Sequence, residues 1–209
     1  MYHVLLAIDP APGRDTSVPT NKMEIALDKG PVIIVDYNPN WPQMYEQEKA
    51  RIQDAVGEYL IDIQHVGSTS IPGLSAKPIL DIMPVIRDIA LIEHCVQPLA
   101  ALDYAYAGEN GIPGRHYFRK PIDNTTQPSM VHLHVVEKGH DQWAMMLLFR
   151  EYLRLHPQSA QQYDILKREL AATYGSDRVG YTDAKAAFVK SIIRAAVLEA
   201  MSEKKKSLK

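Results

Sequence analysis

The stretch HVGSTSIPGLSAKPILDI, from His65 to Ile82, decides the fold. It begins at the end of an alternating apolar segment and finishes inside a second apolar run, so it predicts a strand, a loop and a strand. The loop contains two glycines, two prolines and several hydroxyl side chains, which are turn-forming residues. The second strand carries one carboxylate, Asp81, among apolar neighbours. The segment therefore predicts a sheet with a polar loop at the end of one strand.

The side chains of this loop suit an anion. Gly67 permits a backbone conformation in which successive N–H groups point the same way. Ser68, Thr69 and Ser70 add hydrogen-bond donors, and Lys77 adds a cation. These five residues are the predicted phosphate-binding residues, although the segment is not a Walker P-loop, because no Gly-Lys-Ser/Thr follows. The alternative is a polar turn in which glycine, serine and proline serve only the backbone.

Asp81 and two histidines form the second candidate set. A carboxylate in an apolar strand is unfavourable unless it is paired or bound to a metal. On the later strand Met130–Val136, His132 and His134 alternate with apolar residues and should share one face. Asp81, His132 and His134 are therefore predicted catalytic residues and metal ligands. The alternatives are an ion-paired carboxylate and two histidines that are structural or that bind phosphate or transfer a proton. For His65, a position facing the site and a position capping the strand are equally open.

Outward from this segment, strands and helices alternate and the last third is helical. Strands are predicted at 32–35, 61–66, 79–86, 104–106, 116–120 and 130–136, the last two paired across a turn at 123–128. Helices are predicted at about 41–57, 88–102, 142–155, 159–174 and 182–200, the last with Thr182 as its N-cap. The fold class is therefore α+β, a mixed sheet with flanking helices and a C-terminal helical cap over residues 136–200.

The two ends of the chain differ from this domain, which is predicted over residues 31–200. Residues 1–30 contain turn and linker residues and are predicted to be a poorly ordered extension, or to add one short strand at Val4–Ile8. Residues 201–209 contain four lysines and are predicted to be a frayed basic tail.

Bulk properties exclude several classes of partner. The formal net charge is −2, so a general electrostatic attraction to nucleic acid or to an anionic membrane is not expected. No apolar stretch is long enough to span a bilayer. The single cysteine, Cys95, lies among apolar residues at helical spacing and is expected to be a buried structural thiol. These features predict a cytoplasmic location.

Among the basic residues, most are expected to be solvated surface charges. Arg119 and Arg150 are the predicted exceptions, because each interrupts a stretch that otherwise has the pattern of a buried segment. They are predicted to hold an anion. If the helical cap folds over the sheet, a cationic lining would form from Arg119 and Arg150 together with Arg115, Lys120, Arg154, Lys167 and Lys185.

A Gly-Ser pair after a strand, with an aspartate on the next strand, resembles the polymerase-beta-type nucleotidyltransferase superfamily. The string HVGSTSIPGLSAKPILDI is similar to that of the GrpB family, which is placed in this superfamily. Further segments carry the same resemblance between about Val32 and Ala200, and residues 1–30 fall outside it. These segments are YNPNWPQMYEQEKARI, RHYFRK, HLHVVEKG, FREYLRLHP, YDILKRELA and YTDAKAAFV.

The resemblance implies a nucleotidyltransferase-like fold, with Gly67 and Ser68 in the phosphate loop and Asp81 as the first metal carboxylate. It also implies a nucleotide or phosphorylated small-molecule substrate and a divalent metal (Mg, Mn or Zn). However, Met83 stands where a second carboxylate is usual, and His132 and His134 lie on the strand that often carries a third. A thioether is a poor magnesium ligand, and imidazole suits zinc or manganese better. Two hypotheses therefore remain: metal-assisted transfer of a nucleotidyl or phosphoryl-containing group, or non-catalytic nucleotide or metabolite binding at a degenerate site.

Overall fold

The computed structural model describes residues 31–122 and 129–207. The predictions for residues 1–30 and for the turn at 123–128 lie outside these ranges. The helices are α1 (Trp41–Val56), α2 (Ile92–Ala100), α3 (Asp141–Leu155), α4 (Pro157–Tyr174) and α5 (Arg178–Ser207). The strands are β1 (Leu60–Val66), β2 (Ile79–Ile86), β3 (Ala105–Tyr106), β4 (Arg115–Ile122) and β5 (Ser129–Glu137).

The five strands form one mixed sheet in the order β1-β2-β5-β4-β3. The β2–β5 pair is parallel, and the other pairs are antiparallel. The α+β class, with a mixed sheet, flanking helices and a C-terminal helical layer, is therefore confirmed. The central position of β2 and β5 places Asp81 and the two histidines on neighbouring strands.

One face of the sheet forms the main hydrophobic core with α1 and α2. Trp41 and Ile52 of α1 and Leu99 of α2 pack against Ile82 and Phe118 of the sheet, and all five are almost completely buried. In each strand the residues between these point to the opposite face. Burial of this apolar face fixes the register of β2, β4 and β5, and so it determines which polar residues lie on the other side.

The opposite face is covered by the helical layer α3–α5. At one end of this face Met83, Val85 and Val136 pack under Trp143, Met146 and Leu147 of α3. The three helices pack around a further apolar cluster, which also receives two residues of the loop between β1 and β2. The buried members of that cluster are Ile71, Leu74, Phe149, Leu153, Tyr163 and Ile192.

Two predicted elements differ in the structure. Val32–Val35 is not a strand: Val35 forms an isolated bridge with Ala76, and the Val32 N–H donates to Gly175 O at 2.9 Å. The last helix begins at Arg178 and not at Thr182, whose hydroxyl donates to the Arg178 carbonyl inside the helix instead of capping it. The same helix continues to Ser207, because this segment is rich in strong helix formers and its last-turn lysines interact favourably with the helix dipole.

Two smaller expectations can be compared with the structure. Cys95 is 1% exposed on α2, as expected for a structural thiol, and burial raises the pKa of its thiol to about 11. Across residues 31–122 and 129–207, no helix combines the length and apolar character needed to cross a membrane.

Candidate functional site

Three neighbouring strands place polar side chains side by side under the helical layer. Asp81 of β2 lies opposite His132 of β5, which lies opposite Arg119 of β4. His134 is paired with Tyr117 of β4. Directly opposite residues share a face of a sheet, so these side chains form one polar patch. His132 and His134 lie on the same face of β5, as strand alternation predicted.

The Asp81 carboxylate accepts hydrogen bonds from both histidines. Its Oδ1 lies 3.1 Å from His134 Nε2 and 3.5 Å from His132 Nδ1. Burial raises the pKa of Asp81, but the hydrogen bonds from His132 and His134 outweigh burial and place the pKa well below its ordinary value. Burial lowers the pKa of His134, although the neighbouring carboxylate opposes this shift. At neutral pH Asp81 is therefore an anion held by imidazole N–H groups.

Gly67 brings the loop directly onto Asp81. Its φ of 72° and ψ of −172° belong to a region that essentially only glycine adopts. A Cβ at Gly67 would lie 3.0 Å from Asp81 Cβ and would overlap with Oδ2. The next residue, Ser68, lines the space above Asp81 and hydrogen-bonds the side chain of Tyr163 on α4. The close approach of loop and carboxylate therefore depends on the absence of a side chain at Gly67.

The other two loop hydroxyls support the loop from within. Thr69 Oγ1 donates to a backbone carbonyl of β2 at 2.9 Å and lies 3.0 Å from His65 Nε2. Ser70 Oγ donates to Gly67 O at 2.6 Å. Of the three loop residues with hydroxyl groups, Ser68 is the one that lines the cavity above Asp81.

His65 does not face the site at Asp81, and it does more than cap the end of β1. It is 7% exposed, and its ring stacks on Tyr45 of α1 with the centroids 4.8 Å apart. Burial lowers the pKa of His65 to about 4, and the charges of Arg154 and Arg150 lower it further, against the effect of Asp81. A neutral His65 is thus a fixed support for the loop through Thr69.

The structure places Arg150 against the edge strand β1. Its guanidinium donates to Gln64 Oε1 at 3.0 Å and to the His65 carbonyl at 2.7 Å, so it links α3 to the edge strand β1. One turn later, Arg154 donates to the Ser70 carbonyl at 2.7 and 3.2 Å. Arg150 thus holds the end of β1 from which the loop begins, and Arg154 holds the loop itself.

Above the polar patch lies a cavity of about 650 Å³ between the sheet and the helical layer. The carboxylate that lines it, within the described residues, is Asp81. Six basic side chains also line it, two from β4, one from the loop and three from α4 and α5. They are Lys77, Arg115, Arg119, Lys167, Arg178 and Lys185. The cavity is thus strongly cationic, although the chain as a whole has a formal charge of −2.

Two lysines of the helical layer reach into this cavity, as the sequence suggested for a cap folded over the sheet. Lys167 is 2% exposed, donates to the Ser75 carbonyl and lies 4.7 Å from the centre of the Tyr163 ring. Burial lowers its pKa to about 7, and the nearby charges of Lys185 and Arg168 add to this effect, against Asp164. Burial also lowers the pKa of Lys185.

Arg178 was not predicted as a site residue, and Arg115 was predicted only as one member of a cationic lining. Arg115 is 6% exposed, and its guanidinium donates to the carbonyls of Glu109 and Asn110 at 2.9 and 2.7 Å. The available signal for Arg115 was its shared strand face with Arg119. Arg178 lies before the predicted start of the last helix. In the structure α5 begins at Arg178, and this residue lines the cavity.

The predicted metal centre is not well supported by the arrangement of ligands. In the described ranges, no group of three or more histidine, cysteine, aspartate or glutamate side chains is placed to hold a metal ion. The position of a second carboxylate is occupied by Met83, which is fully buried under α3. Asp81 Oδ1 instead serves as a hydrogen-bond acceptor for two imidazoles.

The sequence matches the GrpB protein family over residues 31–195. The Glutamate-rich protein GrpB of Alkalihalophilus pseudofirmus is 34% identical over 172 residues, which cover 81% of this chain and 98% of that protein. The fold is similar to the crystal structure of conserved protein GrpB from Enterococcus faecalis, with a TM-score of 0.72 and 32% identity. That match covers 81% of this chain and 99% of the other.

Other relatives are longer than this chain. UPF0157 protein YqkA of Bacillus subtilis is 38% identical over 163 residues, 78% of this chain but only 46% of YqkA. A protein of Mycolicibacterium paratuberculosis named dephospho-CoA kinase is 24% identical over 191 residues. That match covers 81% of this chain and 47% of that protein. The chain thus spans about half the length of these two relatives.

Proposed function

This chain belongs to the GrpB family, and we propose that it binds a phosphorylated small molecule of the nucleotide class between the sheet and the helical layer. The observation that carries the proposal is the charge of the cavity, where six basic side chains surround one carboxylate. A volume of about 650 Å³ lies within the range of small-molecule sites. Because phosphate groups bring several negative charges into a small space, they match this lining better than an uncharged or cationic ligand does.

The two kinds of cation serve different purposes. Arg115 and Arg119 are planar donors on a rigid sheet, which suits bidentate contacts to phosphate oxygens. The lysines of α4 and α5 are point charges on the opposite wall. Between the two walls, Gly67 and Ser68 supply a narrow polar edge against which an anion can lie.

The name of the Mycolicibacterium relative, dephospho-CoA kinase, suggests a ligand to test. Dephospho-CoA contains a nucleotide with linked phosphates, which is the chemical class that the cavity fits. The shared segment is less than half of that protein, so the name gives no activity to this chain.

The test is calorimetric titration of the full chain with pyrophosphate, ADP, ATP, dephospho-CoA and coenzyme A. We expect at least one of them to bind and to raise the melting temperature by mass action. Lys185→Gln should weaken that binding about tenfold, which corresponds to about 1.4 kcal/mol. Lys138→Gln, a change of an exposed lysine outside the cavity, should leave affinity unchanged. Absence of binding by every compound, or equal loss in both variants, would contradict the proposal.

Group transfer is the second candidate function, and the contact between Asp81 and His132 favours it. His132 lines the cavity, and Asp81 faces its Nδ1, so the other ring nitrogen can accept a proton from a ligand hydroxyl. Turnover of nucleoside triphosphates would be measured in EDTA and with Mg²⁺, Mn²⁺ or Zn²⁺. Turnover that is lost in Asp81→Asn supports transfer, and binding without turnover under every condition leaves non-catalytic binding as the function.

A further inference from the structure

We propose that the cavity binds its phosphorylated ligand as the metal-free anion, with fixed lysine and arginine side chains neutralising the phosphate charge. This inference rests on the proposed function, since it specifies the ionic form of the ligand. It concerns the same cavity and makes a separate prediction about the effect of magnesium.

The first argument is the balance of charge. Six basic side chains and one carboxylate line the cavity. A phosphate monoester carries about −1.5 to −2 charges near neutral pH, so a ligand with two or three phosphates fits this excess when no metal is bound to it. Chelation of Mg²⁺ makes the net charge of the ligand less negative by two. The basic lining therefore attracts the chelate less strongly than it attracts the metal-free anion.

The second argument is the supply of oxygen ligands. Magnesium requires near-octahedral oxygen coordination and usually takes one or two protein carboxylates together with substrate phosphates. The cavity offers Asp81, whose Oδ1 is engaged by His134 at 3.1 Å and His132 at 3.5 Å and whose Oδ2 faces Gly67. The same strand places the apolar Met83 under α3 at the next position on this face.

The third argument concerns the cations themselves. In the described part of the chain, Arg115, Lys167 and Lys185 form no ion pair with a carboxylate, although all three line the cavity. Arg115 is nearly buried, and its guanidinium is bonded to uncharged backbone carbonyls. A buried charge without an ion-pair partner is unfavourable, so a bound polyanion would supply the counter-charge that this guanidinium lacks. A metal at Asp81 would instead increase the excess of positive charge.

The experiment is calorimetric titration of wild-type protein with inorganic pyrophosphate and with ADP, in excess EDTA and in excess Mg²⁺. We expect affinity in EDTA to be equal to or greater than affinity in Mg²⁺. Asp81→Asn removes the negative charge from the cavity, so binding of the metal-free anion should be retained or strengthened. Lys138→Gln is the control variant, and the melting temperature of each variant confirms folding.

Binding that requires Mg²⁺, or that is about tenfold stronger with it, would overturn this inference and leave the proposed function intact. Loss of binding in a folded Asp81→Asn variant would do the same. Absence of binding in both conditions would overturn the proposed function together with the inference. The comparison of the two titrations of wild-type protein decides the question even if Asp81→Asn does not fold.

Discussion

At the scale of single residues, Gly67 and Asp81 form the contact on which the site depends. The loop backbone approaches the carboxylate so closely that a Cβ at position 67 has no space. The same approach sets Ser68 at the edge of the cavity. A small change at Gly67 should therefore affect both stability and ligand binding.

We expect Gly67→Ala to destabilise the protein by about 3 kcal/mol, because it combines backbone strain with a clash against Asp81. Gly73→Ala is a matched control, since Gly73 also has a positive φ of 76° but a Cβ there meets no atom within 4 Å. The control should lose only about 1–2 kcal/mol from backbone strain. Chemical denaturation of both variants measures the difference, and equal losses would show that the close approach to Asp81 is not important.

Sequence patterns predicted part of this site because strand alternation is a local rule. It placed His132 and His134 on one face of a strand, as the structure has them. It did not show that the strand of Asp81 pairs with the strand of the histidines, which is a non-local contact. It could not place Arg150, whose position depends on how α3 crosses β1. The direction of the Thr69 hydroxyl was also beyond a local rule, because it donates to the Ile79 carbonyl on the next strand.

At the scale of elements, the loop between β1 and β2 is held from the side opposite the cavity. His65 contacts Thr69, and Arg154 of α3 donates to the Ser70 carbonyl. Tyr45 of α1 stacks on His65 and donates to the Ile63 carbonyl at 2.9 Å. Two helices and a strand therefore fix this loop, which suits a loop that must present a rigid edge to a ligand.

This support predicts a pH dependence of stability. The pKa of His65 is about 4 in the folded protein against an ordinary value of 6.5, so the unfolded chain binds more protons between these values. Stability is therefore complete above pH 6.5 and is lost as the pH falls towards 4, by about 3 kcal/mol for this group. Urea denaturation at pH 7, 5.5 and 4 should show a smaller loss for His65→Gln than for wild type.

His94→Gln is the control for this measurement, because His94 is exposed on α2. It should keep the wild-type dependence on pH. A His65→Gln variant that loses as much stability as wild type between pH 7 and pH 4 would show that His65 is not the group responsible.

Element prediction succeeded where burial imposed a pattern. The four long strands and the helices have alternating or 3.6-residue apolar spacing, and this spacing comes from contact with the two sides of the sheet. Val32–Val35 has the composition of a strand but lies beside a loop, so only Val35 finds a bridge partner. Composition alone does not supply a neighbouring strand.

At the scale of the whole molecule, the cavity is shared between a rigid sheet and a helical layer. The sheet supplies Asp81, the histidines and two arginines, whereas α4 and α5 supply Lys167, Arg178 and Lys185. The sequence predicted both layers but could not specify their separation, which decides whether the lysines face the histidines. The two walls are joined through the loop at Ser75, which contacts Asp164 and Lys167 of α4.

Because both walls of the cavity carry basic side chains, a bound polyanion that contacts both should draw them together. We therefore expect pyrophosphate to slow amide hydrogen exchange at the start of α5, over residues 178–186, and around Lys167. Amides of β4 and β5 are already held in the sheet ladder and should change little. Hydrogen exchange measured by mass spectrometry, with α1 as the internal reference, tests this expectation. Lys185→Gln should reduce the protection at equal ligand concentration. Protection confined to the sheet, with exchange in α5 unchanged under saturating pyrophosphate, would show that the helical layer does not take part in binding.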